Sequence, residues 1–347
     1  MRIGTAKENY LHDAALFDTN VQRAWMVALA AALLVLPFIS GQYISYLVCL
    51  VLINIVSTTG LNILTGFTGL VSLGQAAFMG VGAYTVAILE INAGTPFLLN
   101  LLIAGGAASL VGVVVGLPSL RVKGLYLAIA TIAASVILHF VFANWTSVTG
   151  GVSGLTMPPA SIFGFELVQP NQVYWIIMPI TVVMLFGAAN LFRTRIGRAF
   201  IAIRDRDISA EVLGIRLLRY KLLSFAISSF YAGVAGGLWA YFFRVITPES
   251  FPLMMSIFFL AAIIVGGMGS ILGGILGAVF MTMVPEILKM MVGVLSPIWP
   301  DAVAVMSPVR IIVFGGLIIF FLIFEPDGLA EIWRNIRRFF HLWPFRT

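Results

Sequence analysis

The chain reads as a succession of apolar runs, each close to 20 residues long, separated by short polar joints. A helix needs about 20 apolar residues to cross a hydrocarbon layer roughly 30 Å thick. The runs place candidate spans at 25–41, 43–64, 68–90, 97–117, 125–143, 173–192, 222–243, 251–266, 272–292 and 309–325. The expectation is an all-α, polytopic transmembrane helical bundle of about ten spans over residues 25–330. A polar leader (1–24) precedes it and a cytoplasmic tail (331–347) follows. Composition agrees: 10% of the residues are charged, against roughly 25% in a soluble domain, so most of the surface never meets water. The leader lacks the basic-then-apolar order of a cleaved signal, because Glu8, Asp13 and Asp18 offset Arg2, Lys7 and Arg23. It is expected to be retained.

Ten crossings sort the basic residues sharply. The leader, the joints at 118–124 and 193–221 and the tail share one face, which collects 17 of the 20 Lys and Arg. The opposite face keeps Arg244, Lys289 and Arg310. Basic residues are retained in the cytoplasm, so both termini are expected inside. A net charge of +6 spread over four cytoplasmic pieces is topogenic and does not mark a nucleic-acid partner. The loop 144–172 carries Trp145, Phe163 and Phe165 but no Lys or Arg, and an interfacial helix or cap is expected there on the outer side.

Charges inside the spans are nearly absent. Glu90, Glu286, Lys289, Arg310 and Glu325 fall at expected span ends, where long side chains reach the interface at little cost. His139 sits within a turn of the outer end of its span and reads as interfacial. A proton relay needs ionisable groups at mid-membrane, so an energy source outside the chain is expected. No Gly-Lys dipeptide occurs, hence no phosphate loop. There is also no HExxH and no Gly-x-Ser-x-Gly. No catalytic residue, metal ligand set or cofactor is expected. The lone Cys49, among Leu and Val, reads as a small buried hydrophobe.

Thirty-four glycines are present and they cluster. Gly60, Gly66, Gly69, Gly74, Gly80 and Gly82 punctuate spans two and three, with the turn Thr65-Gly66-Phe67 expected between them. Gly266, Gly267, Gly269, Gly273, Gly274 and Gly277 punctuate the junction of spans eight and nine. Small residues let membrane helices approach closely. Alternatively, glycine-interrupted segments unwind and expose backbone to a solute path. The candidate path residues are Asn62, Ser72, Gly74, Gln75, Gly266, Gly267 and Gly269, with helix-to-helix hydrogen bonding as the other role of the three polar ones.

The joint at 193–221 is the most informative. Asp207 is placed to cap a short helix starting at Ile208, and Gly214 to end it with a left-handed turn. Ile201, Ile208, Val212 and Ile215 form an apolar stripe beside Arg204, Asp207 and Glu211. A membrane-surface helix and a docking helix for a cytoplasmic protein both fit that pattern.

The run from Gly197-Arg198-Ala199 to Ala210-Glu211-Val212-Leu213-Gly214-Ile215 resembles the coupling loop of ABC importer permeases. Gly60-Leu61-Asn62 through Gly66-Phe67-Thr68-Gly69-Leu70-Val71-Ser72-Leu73-Gly74-Gln75 to Gly80-Val81-Gly82-Ala83-Tyr84 resembles the signature of branched-chain amino acid permeases of the LivM type. Gly266-Gly267-Met268-Gly269-Ser270 with Gly273 and Gly277-Ala278, and the stretch Leu117–Ala128, are similar to the same family. The resemblance covers roughly 40–330. It implies an importer in the bacterial inner membrane, built from this subunit, a second homologous permease subunit, two ATPase subunits that use ATP and Mg, and a periplasmic solute-binding protein. It further implies that Gly197, Arg198, Arg204, Asp207, Ala210, Glu211 and Gly214 serve ATPase coupling. An importer of urea or short amides, and a stand-alone channel or carrier, are the competing readings.

Overall fold

The computed structural model describes residues 31–119, 124–162, 165–295, 302–325 and 327–342. The leader 1–24 and the first six residues of the first expected span (25–30) therefore lie outside the described residues. The described chain opens with α1 (31–39). There follow α2 (Gln42–Leu61), α3 (Gln75–Ala93), α4 (Phe97–Ser119), α5 (Leu125–Asn144), α6 (Thr146–Thr149), α7 (Pro170–Arg193), α8 (Arg195–Asp205), α9 (Asp207–Val212), α10 (Leu217–Phe243), α11 (Leu253–Gly266), α12 (Ile271–Leu295), α13 (Ala302–Phe324) and α14 (Gly328–Leu342). Among the described residues, eight helical stretches are long and apolar enough to cross a membrane. Ile311–Phe324 with Gly328–Ile336, bent by 51°, forms a ninth candidate. The tail expected from 331 onward is therefore the body of a helix up to Leu342.

The bundle is organised around α2 and α10. Of the apolar stretch of α2, 89% is buried inside the protein, against 28% for α5 and α7. A helix apolar all round belongs in an interior, and α2 meets α7, α10 and α12 on its several sides. Cys49 is fully buried there, as expected. The α3–α10 approach is closer than side chains permit: a β-carbon on Gly236 would collide with the Met79 backbone, its carbonyl carbon lying only 2.7 Å away. Without a hydrophobic drive between helices in lipid, such backbone contact is what holds them together. Gly236→Leu is expected to destabilise the bundle by about 1–3 kcal/mol through overpacking. The measurement is the thermal unfolding midpoint in detergent. Gly106→Leu, where nothing lies within 4 Å of a β-carbon, is the control expected to leave the midpoint unchanged.

Two polar layers mark the ends. At one end Glu90 accepts hydrogen bonds from Asn100 Nδ2 (2.7 Å) and from the Tyr241 hydroxyl (2.7 Å), tying α3, α4 and α10 together. The loop after α5 covers the same end. It folds as α6 and two short ribbons, β1 (Leu155–Thr156) with β4 (Val245–Ile246) and β2 (Ala160–Ile162) with β3 (Phe165–Leu167). The cap expected over 144–172 is thus partly extended chain. At the other end lie α8, α9 and the turns around 62–74 and 266–270, the end that the basic residues assign to the cytoplasm.

The junction between the second and third expected spans differs from a simple turn. The α2 helix continues as a π-helix over Asn62–Phe67, and non-helical chain at 68–74 leads to α3. The wider π turn is held locally: Thr68 Oγ1 donates to the Ile63 carbonyl (3.0 Å), and Thr65 Oγ1 donates to the Leu70 carbonyl (3.0 Å). From α5, Thr131 Oγ1 accepts the Leu73 amide (2.9 Å) and Ser135 Oγ donates to the Leu73 carbonyl (3.2 Å). Non-helical backbone inside a membrane survives only where protein supplies its partners.

Candidate functional site

The loop after α7 forms two short helices. Thr194 caps α8, its Oγ1 accepting the Gly197 amide at 3.4 Å, and Gly197 packs against the backbone of Leu191 and Phe192. α8 buries Gly197, Ala199, Phe200 and Ile203, leaving Arg198 and Arg204 exposed. Arg206, extended at φ −157, breaks the helix, so the expected single stripe from Ile201 to Ile215 is interrupted. α9 begins at Asp207 itself rather than after it. The Asp207 carboxylate accepts the Ile208 amide (2.9 Å) and faces Lys221 Nζ at 3.8 Å. Ala210 alone in α9 is buried.

The end of α9 is a Schellman turn. The Gly214 amide donates to the Glu211 carbonyl (2.9 Å) and the Ile215 amide to the Ala210 carbonyl (3.0 Å), with Gly214 left-handed at φ +86. Around this turn Ile208, Val212 and Leu213 are 71%, 84% and 80% exposed, and Glu211 is exposed beside them. Three large apolar side chains thus project from the end rich in Lys and Arg.

Behind this surface the loop touches both glycine clusters. Asn62, in the π segment, accepts the Gly269 amide through Oδ1 (3.0 Å) and donates through Nδ2 to the Ser270 carbonyl (2.8 Å). Gly66 brings its backbone against the same turn: a β-carbon there would lie 2.5 Å from the Gly269 nitrogen. The guanidinium of Arg204 occupies the place where a Gly269 side chain would go, while its stem runs along Gly69, 3.4 Å from a β-carbon there. Expected beside an ATPase, Arg204 also reaches into this chain's own turns. A cavity of about 530 Å³ lies between the loop and the 68–70 segment, with Arg204, Asp205, Arg206 and Lys221 on its walls.

The other candidate path residues are buried in this conformation. Ser72 and Gln75 are each 1% exposed. Ser72 Oγ accepts the Gly74 amide (3.2 Å), and Gln75 Nε2 donates to the Ser57 carbonyl (2.8 Å). Gly74 is the N-cap of α3 with ordinary negative φ. Gly266 abuts Gly273 and Gly277 of α12, and Gly267, at φ +112, abuts Asp327 and Ala330. The hinge between α11 and α12 is therefore seated on the start of α14.

The profile of the family described as branched-chain amino acid transport system / permease component matches residues 42–322. The chain belongs to that family. The permease is 31% identical over 341 residues to the high-affinity branched-chain amino acid transport system permease protein LivM of Escherichia coli K12, with 91% of this chain and 77% of that one covered. It is 24% identical over 311 residues to a probable branched-chain amino acid transport permease protein LivM of Methanocaldococcus jannaschii, covering 78% and 88%. A probable LivH of the same archaeon is 27% identical over 236 residues, covering 63% of the permease. No solved structure matches. The matched region contains the contacts of Asn62, Gly66 and Arg204 with the Gly269 turn and the exposed α9 turn just described. The permease is a multi-pass membrane protein whose helices agree with the expected all-α bundle.

Two features escaped the sequence reading. One is the π segment. The other is the set Ser135, His139 and Ser256, which meets at a second cavity. His139 had a signal of its own, as a lone imidazole in an apolar span, but its neighbours come from helices remote in sequence.

Proposed function

We propose that this chain is the transmembrane permease subunit of an ABC importer in the bacterial inner membrane. It forms half of a translocation path for branched-chain, or other small apolar, amino acids. A second homologous permease subunit supplies the other half, a periplasmic binding protein delivers solute, and two ATPase subunits drive the cycle with ATP and Mg. The observation that carries this reading is the family match over 42–322, with identity to LivM proteins over nine-tenths of the chain.

The geometry supplies a route for the work. An ATPase seated on Ile208, Val212 and Leu213 displaces α9. The Arg204 stem and guanidinium carry that displacement to Gly69 and Gly269, and the Asn62 amide locks the two turns so that they move together. Packed turns with two discrete arrangements transmit such shifts as rigid-body movement of the attached helices. Here those helices are α2, α3, α11 and α12.

The test is reconstitution of the permease with its neighbouring-gene partners in proteoliposomes. ATP-dependent accumulation of radiolabelled leucine, and co-purification of ATPase subunits, are the expected results. Accumulation of urea or a short amide in place of leucine would overturn the substrate class. Uptake by the isolated chain without ATP would overturn the importer reading in favour of a stand-alone carrier.

A further inference from the structure

The helix α14 leaves the axis of α13 by 51°. α13 is 23 residues long, roughly 35 Å at the helical rise, which already crosses a hydrocarbon core of roughly 30 Å. α14 therefore starts where the core ends, on the side of the hinge between α11 and α12. Backbone fixes its first turn there. Gly328 is left-handed at φ +70, and its amide donates to the Glu325 carbonyl (2.8 Å). A β-carbon on Gly328 would lie 2.5 Å from the Gly267 nitrogen. Ala330, 2% exposed, packs against the same glycine.

Beyond that turn the helix has two faces. Leu329, Ile332, Trp333 and Ile336 recur at the spacing of one apolar stripe. Its far part is uncovered, with Trp333 54% and Ile336 45% exposed. Arg334, Arg337 and Arg338 fall at i, i+3 and i+4, on a stripe of their own. Glu331 pairs with Arg334 and is the one acid in 328–342. Three Arg against one Glu leave two positive charges in excess. The exposed apolar side chains Leu322, Ile323 and Phe324 at the end of α13 lead directly to this helix, so its apolar stripe continues the lipid-facing surface. Tryptophan at the boundary with arginine beside it is the composition of a helix lying in the membrane interface. The cytoplasmic leaflet carries the anionic headgroups that complement the arginines.

We propose that α14 docks on anionic phospholipid headgroups of the cytoplasmic leaflet, and that this contact holds the α11–α12 hinge in the position that transport uses. Trp333 and Ile336 enter the boundary between headgroups and acyl chains, and the arginine stripe meets the lipid phosphates. Gly267 abuts Asp327, Ala330 and Gly328, so a tilt of α14 shifts the hinge. The same hinge is held two residues further on, where Asn62 accepts the Gly269 amide. A basic residue near an anionic surface strengthens binding about fivefold, and a purely zwitterionic membrane withdraws that contribution. The consequence for transport rests on the import reading above, whereas the contact with lipid does not.

Two measurements on the complete importer in proteoliposomes test it. In the first, Ile336→Cys, with Cys49 first replaced, carries an environment-sensitive fluorophore. The vesicles contain phosphatidylcholine and phosphatidylglycerol in equal parts, with brominated acyl chains on one lipid or on the other. Bromine on phosphatidylglycerol is expected to quench about twofold or more above bromine on phosphatidylcholine, because the arginines enrich the anionic lipid locally. Arg337→Gln with Arg338→Gln should remove that preference, and Arg337→Lys with Arg338→Lys should keep it, which a folding defect does not imitate. Absence of quenching by either lipid means that protein covers the face, and overturns the proposal. Equal quenching by both reduces α14 to an apolar anchor and overturns it as well. In the second, leucine uptake is expected to be roughly fivefold lower in phosphatidylcholine alone than in the mixture. The double Gln variant should show little difference between the two. Equal wild-type uptake in both vesicles overturns the link from headgroups to the hinge. A wild-type importer that accumulates no leucine in either vesicle sinks the import reading instead, and the quenching preference then decides the lipid contact by itself.

Discussion

Replacing Gly269 with leucine is expected to abolish uptake while the protein still inserts and purifies at normal yield. Gly269 is left-handed at φ +77, where a β-carbon costs roughly 1–2 kcal/mol. The space for that carbon is already taken by the Arg204 guanidinium, and the Gly66 carbonyl would lie 3.0 Å away. Overpacking of this kind adds about 1–3 kcal/mol. The substitution therefore expels Arg204, or swings the turn away from Asn62 and breaks the bond from the Gly269 amide. Either way the link between the α9 surface and the α11–α12 hinge is lost. About 2 kcal/mol at the lower bound corresponds to a roughly 30-fold fall in leucine uptake. Basal ATP hydrolysis should persist but lose its stimulation by substrate. Gly74→Ala is the contrasting case. Its φ is −95 and the nearest obstacle to a β-carbon is the ring edge of Phe78 at 3.1 Å, which can give way. Most uptake should survive there. Equal damage from both substitutions would return Gly269 to a general packing role.

That contrast shows where sequence reasoning succeeded and where it ran out. Spans are legible because length and apolarity act locally: about 20 residues must be apolar for a helix to cross lipid, whatever the neighbours do. The Gly214 turn was legible for the same reason, since a left-handed helix end selects glycine from local sterics alone. The 68–74 segment was not. It is as apolar as the helices around it, and α3 starts at Gln75 behind an N-cap, Gly74, that has no side chain to cap with, so neither periodicity nor a capping residue marks the break. What makes it possible is tertiary: Thr131 and Ser135 of α5 satisfy the Leu73 backbone, and α5 is over 50 residues away in sequence. The roles of Asn62 and Arg204 were hidden likewise. Asn62 was visible as a polar residue in a span, but its target is a backbone turn more than 200 residues further on. Arg204 belonged by pattern to the loop surface, and only the gap left by two glycines shows that its side chain also turns inward.

Gly214→Val should uncouple transport from ATP hydrolysis without disturbing the transmembrane bundle. Nothing lies within 4 Å of a β-carbon on Gly214, so the substitution meets no obstacle. Its whole effect is conformational. At φ +86 a β-branched residue is strained by about 1–2 kcal/mol, and the turn relaxes by moving φ out of the left-handed region. Doing so breaks the two bonds that close α9, from the Gly214 and Ile215 amides, and re-aims Val212 and Leu213. Those two side chains are the most exposed apolar groups on the loop, and an interface draws most of its free energy from a few such buried anchors. Glu211 beside them adds little, because an exposed ion pair contributes about 0–1 kcal/mol. Glu211→Gln is therefore expected to cost less than threefold in uptake, while Gly214→Val should cost roughly tenfold or more. Gly214→Asn separates geometry from surface chemistry, since asparagine tolerates the left-handed region better than other side chains. It should restore most of the coupling that valine removes. The measurements are leucine uptake and substrate-stimulated ATPase activity in proteoliposomes, with crosslinkers placed at 208–213 to report the contact. Normal transport by Gly214→Val, or crosslinkers that never capture an ATPase subunit, would leave α9 as a membrane-surface helix. The drive for transport would then have to enter the bundle elsewhere.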